Sequence, residues 1–154
     1  MTIQEIESNL VTWREYLTNK QKRYIHFNSL ANFVFHFENL PTEKLKEIVL
    51  IYLTEYVQEI QQHNASFTSR ESYELVTRHL NRLSDVYSSR LGFKSILTLK
   101  FVILFSIIGD GLLYLLLRNK FFIYFPIITI SLFTYYLSRR LLLEKKRKLF
   151  GLFY

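Results

Sequence analysis

FVILFSIIGDGLLYLLL (residues 101–117) and FFIYFPIITISLFTYYL (residues 121–137) are the two runs on which the reading of this chain turns. The first holds seventeen residues with a single charge, Asp110, and the second seventeen with none. A helix rises about 1.5 Å per residue, so a hydrocarbon core of about 30 Å calls for about 20 apolar residues. Extended back to Ser95, the first run gives 23 residues, with Lys100 near enough to its end to snorkel towards a headgroup. The second reaches 18 residues at Ser138. Only Arg118, Asn119 and Lys120 separate the runs, so two helices there must be antiparallel neighbours. The pattern predicts a two-helix transmembrane hairpin over residues 95–140.

Charge follows the same division. Residues 1–94 carry eleven Lys/Arg and eleven Asp/Glu, so the net charge of +7 belongs entirely to the last sixty residues. An excess that flanks apolar runs reads as membrane orientation, not as a nucleic-acid surface. Arg139, Arg140, Lys145, Lys146, Arg147 and Lys148, with Arg90 and Lys94, oppose only Arg118 and Lys120 in the turn. That asymmetry predicts a multi-pass protein of the inner (cytoplasmic) membrane with both termini in the cytoplasm. The basic cluster over residues 139–148 is then either positive charge retained inside or a surface for anionic lipid headgroups. Residues 141–154 read as a basic juxtamembrane tail whose apolar end lies in the interface. The N-terminus, MTIQEIESNL, is not built as a signal peptide, so the first span would serve as its own insertion signal.

Residues 1–94 read as an all-α cytosolic domain. Ile3, Ile6, Leu10, Trp13, Leu17, Tyr24, Phe27, Ala31 and Val34 recur at steps of three and four, with Lys20 at the one missing position. This coiled-coil-like spacing predicts one long helix ending before Pro41. Thr42 offers an N-cap for a second helix over residues 43–62, apolar at Leu45, Ile48, Val49, Tyr52, Leu53, Tyr56, Val57 and Ile60. Thr68 and Glu71 fit a capping box that opens a third helix, striped by Tyr73, Val76, Leu80, Leu83 and Tyr87. Gly92 marks a kink or C-cap after it. The expected architecture is therefore a three-helix bundle (1–94), the membrane hairpin (95–140) and the tail (141–154).

Asp110 is the residue that most demands a role, because a carboxylate within hydrocarbon costs several kcal/mol. Ser106 and Tyr114 lie one turn to either side of it. Across the hairpin stand Ser131, Thr134 and Ser138, and Thr129 is level with Asp110 when both helices are counted outward from the turn. Two readings are open: a neutral carboxyl that bonds the helices together, or a polar stripe lining a pore in a homo-oligomer.

Support for catalysis is lacking. The four histidines share no ligand spacing, and Glu59 with His63 at i, i+4 reads as a solvated pair, not a metal site. Neither Arg23/His26 nor Arg70/His79 has the spacing used by small helical ribonucleases. There is no cysteine and no glycine-rich phosphate loop. The expectation is a non-enzymatic protein without metal or cofactor: a homo-oligomeric pore, ion-conducting or membrane-perturbing effector in the lipid bilayer. The alternative is a membrane-anchored scaffold whose bundle docks a cytosolic protein.

Overall fold

The computed structural model describes residues 1–117 and 126–151, and the chain divides into two units. One comprises Met1–Lys94 together with Lys148–Tyr154, and the other is Ser95–Arg147. The described residues are all-α apart from two two-residue strands, β1 (Lys94–Ser95) and β2 (Leu149–Phe150).

In the first unit the long N-terminal helix is three helices: α1 (Ile3–Tyr16), α2 (Asn19–Tyr24) and α3 (Phe27–Phe35). The break after α1 has a local cause. Thr18 caps α2, its hydroxyl accepting from the Gln21 amide while the Gln21 side chain accepts from the Thr18 amide. This is the same reciprocal box that Thr2 and Glu5 build at α1. A second break falls at His26, which adopts a left-handed conformation (φ 49°). The carbonyls freed there find side-chain donors: Ser72 Oγ donates to Tyr24 O at 2.7 Å and Tyr56 Oη to Ile25 O at 2.9 Å. The apolar stripe runs on across both breaks, so the periodicity describes what is buried, not one continuous helix.

After a 3₁₀ turn (Phe37–Asn39), Thr42 caps α4 (Glu43–Gln62), which buries Val49, Leu53, Tyr56, Val57 and Ile60. The third expected helix is α5 (Ser69–Leu75), a π-helical turn (Val76–Leu80) and α6 (Asn81–Leu91) without interruption. The wide turn shifts the buried face, so Ser72 and Leu75 point inward and Tyr73 is exposed. Gly92 ends α6 at φ 72°, the left-handed conformation that glycine adopts without a Cβ penalty. Around Phe33 an aromatic core gathers Tyr87, Phe93 and Phe150 at centroid distances of 4.7, 5.4 and 5.9 Å. Tyr87 is held there by donating to Phe33 O at 2.7 Å.

Phe150 belongs to a segment the sequence assigned elsewhere. Leu149 is fully buried, its carbonyl accepts from Asn32 Nδ2 at 2.9 Å, and the Gly151 amide donates to Ser29 Oγ at 3.1 Å. Lys94 N donates to Lys148 O at 3.0 Å, so the chain leaves this unit and re-enters it at one point. Residues 149–151 thus belong to the first unit, with Phe150 against its core.

The second unit is a helical pair, α7 (Ile96–Leu117) and α8 (Ile127–Lys145). Among the described residues no helix is long and apolar enough to cross a membrane. This overturns the transmembrane hairpin over 95–140, the multi-pass inner-membrane location with cytoplasmic termini, and the membrane, pore and ion-transport readings. In α8 the reason is plain. It starts only after Pro126, and Arg139 and Arg140 follow residues 127–138. Twelve residues rise about 18 Å, well short of about 30 Å. In α7 the mid-helix acid Asp110 is engaged within the helical pair itself. Without spans, the eight-to-two basic asymmetry has nothing to orient. The turn at 118–120 and the expected first residues of the second run, 121–125, lie outside the described residues.

Candidate functional site

Pro126 precedes α8 and has no side chain able to cap it, so the first-turn amides need an acceptor from elsewhere. Asp110 supplies it. Its Oδ2 accepts from the Thr129 amide at 2.7 Å, and the residue is almost wholly buried. A carboxylate at the third amide of a helix does what an N-cap does and meets the positive end of the helix dipole. The partner is the Thr129 backbone; the acid of one helix therefore fixes the start of the other.

The remaining predicted stripe residues do not gather round it. Ser106 is buried, and its hydroxyl donates to its own helix at Ile103 O, 2.7 Å away. Thr134 and Ser138 are exposed and donate to Ile130 O and Thr134 O one turn back along α8. Ser131 is exposed and Tyr114 half-buried. What the pair turns outward is mostly apolar: Phe105, Leu115 and Leu116 on α7 are 68, 67 and 79 % exposed, and Ile130, Leu141 and Leu142 on α8 exceed half.

The basic residues also divide. Arg139, Lys145, Lys146 and Arg147 are exposed and Arg140 is half-buried. Lys148 instead turns inward, its Nζ donating to Leu91 O at 2.7 Å, a cation on the last carbonyls of α6.

On the bundle, the π-helical turn brings a charged cluster to α4. Glu59 bonds His79 Nε2 through Oε2 at 2.6 Å and Arg78 through Oε1 at 2.9 Å, while His79 stacks on Tyr56 with centroids 5.3 Å apart. The cluster borders a groove of about 370 Å³ shared with Glu55, Gln58, Gln62 and His63. Glu59 thus pairs across helices with His79 and Arg78, a partnership that spacing along one helix cannot reveal. The second ring nitrogen, Nδ1 of His79, is buried without a hydrogen bond. Among the described residues no set of three His, Asp or Glu side chains is placed to hold a metal.

His26 is the other buried histidine. Its Nε2 lies 3.1 Å from Ser72 Oγ and 3.2 Å from Ser72 O. Burial lowers its pKa from the ordinary value, against smaller opposing pulls from the Ser72 and Gly151 backbone. No protein-family model matches the chain, and no curated protein or solved structure is detectably similar to it.

Proposed function

We propose that this chain is a non-enzymatic assembly protein in which the α7–α8 pair packs against the same pair of a second copy and the bundle is carried on the resulting particle. The observation that carries this reading is the outward face of the pair. Phe105, Leu115 and Leu116 with Ile130, Leu141 and Leu142 leave large apolar side chains in water on both helices. Contiguous apolar surface beyond a few hundred Å² marks an interaction site. A second copy is the occupant because the surface lies on both helices of one pair, as a self-complementary two-fold contact requires.

The internal cap supports the same reading: Asp110 is used within the pair, so no buried charge stands unmatched when the apolar faces close. On the bundle, Nδ1 of His79 in the Glu59–His79 pair is buried. The test is sedimentation of the full chain beside Phe105→Glu/Leu116→Glu, both exposed positions. Wild type should sediment as a multimer and the variant as a monomer with an unchanged helical signal. Equal sedimentation overturns the proposal, as does partition of wild type into phosphatidylcholine vesicles without self-association.

A further inference from the structure

The segment over residues 148–151 is held as a peptide is held by a receptor. Its contacts are made largely through its backbone: Lys148 O to the Lys94 amide, Leu149 O to Asn32 Nδ2, and Gly151 N to Ser29 Oγ. Phe150 packs on Phe33 in the core, and the Leu149 side chain is fully buried. Strand addition with backbone bonds and a single anchor pocket is a recurring mode of peptide capture. Ser29 and Asn32 are buried polar groups on α3 whose partners come from this segment, so the receptor is incomplete without it.

The connection that delivers the segment is short and strained. α8 ends at Lys145, Lys146 caps it, and Arg147 turns the chain at φ 52° in the left-handed region that side chains with a Cβ disfavour. A strained, short hinge next to a docked terminal segment is the arrangement that favours exchange between copies, because the exchanged form keeps every contact and relaxes the hinge. We propose that the Ser29/Asn32 receptor on one copy takes residues 148–151 of a second copy, so that neighbouring bundles are cross-linked by reciprocal exchange of this strap. The inference rests on the assembly reading above for its driving concentration: copies joined through α7 and α8 present their straps to each other at an effective concentration of about millimolar.

The native chain has no cysteine, so a single introduced pair reports the exchange without competing thiols. Lys94→Cys/Lys148→Cys places the two thiols on residues joined by a backbone hydrogen bond, within the span of a short bis-maleimide linker. Equal amounts of isotopically heavy and light full-length protein are mixed, equilibrated and treated with the linker, and the peptides joining positions 94 and 148 are weighed. Exchange predicts heavy–light pairs, at about half of all links when every strap is exchanged. Inserting Gly-Gly after Lys146 relaxes the hinge without touching the receptor, and should lower the heavy–light fraction severalfold while leaving total cross-linking intact. Only heavy–heavy and light–light links overturn the exchange. If the particle is then still multimeric, assembly through α7 and α8 stands without it; if monomeric, both proposals fall. Heavy–light links that persist unchanged after the insertion overturn the hinge argument and with it the proposal.

Discussion

Replacing Asp110 by Ala removes the only described side chain that serves the start of α8. The residue accepts a 2.7 Å bond from the Thr129 amide and is almost completely buried, so water does not readily take its place. Losing an N-cap acceptor costs about 0.5–2 kcal/mol, and losing a negative charge at a helix N-terminus adds about 0.3–1 kcal/mol. Local opening at the first turn of α8 should therefore become more frequent by roughly one to two orders of magnitude. Amide hydrogen exchange resolves this directly: in Asp110→Ala the amides of Thr129 and Ile130 should lose protection, while amides in α4 should keep theirs. Asp110→Asn keeps an acceptor without the charge, so its protection should fall between the two. Unchanged exchange at Thr129 in the Ala variant would refute the cap. Uniform loss along both α7 and α8 would show that Asp110 supports the whole pair and not the start of one helix.

Three further outcomes follow from the bundle. His26 is neutral in the fold because burial lowers its pKa, so the unfolded chain binds the extra proton first; stability is full above pH about 6.5 and is lost below it, by up to about 1.4 kcal/mol per pH unit. Denaturant midpoints should fall as the pH drops below about 6.5, and His26→Asn, which tolerates the left-handed backbone, should flatten that fall. Gly92→Ala meets no atom within 4 Å, so its cost is the φ 72° backbone alone; a melting experiment should show about 1 kcal/mol of loss, and an unchanged midpoint would contradict the left-handed cap. Tyr87→Phe removes the 2.7 Å donor to Phe33 O, which keeps the His36 amide, and should cost about 0.5–1.5 kcal/mol in urea unfolding, whereas a gain in stability would contradict a net contribution from this bond.

Local chemistry was legible in the sequence and long-range placement was not. The caps at Thr42 and Thr68 and the glycine stop at Gly92 are where the residue types require them. The break at Thr18 was equally readable, since Thr18 and Gln21 form the same box as Thr68 and Glu71; an unbroken apolar stripe outweighed it. The π-helical turn leaves no such mark, because it displaces Tyr73 from the core without a proline or glycine. Counting outward from a tight turn sets Asp110 level with Thr129, but the need for an acceptor there comes from Pro126, whose effect depends on where α8 begins. The strap is the least legible feature. Its bonds join residues 117 and 122 positions apart, and its Lys-Leu-Phe-Gly sequence resembles any basic–apolar tail. Apolar length alone likewise suggests membrane spans, whereas α8 starts late, after Pro126, and no described helix is long and apolar enough to cross a membrane.

The central claim is that the apolar faces of α7 and α8 are covered by a second copy. The direct measurement is the absolute mass of the wild-type particle by light scattering in detergent-free buffer. The account predicts a discrete species of at least twice the 18.6 kDa chain mass, with the same value over a tenfold range of concentration. A stable species at 18.6 kDa across that range would contradict it.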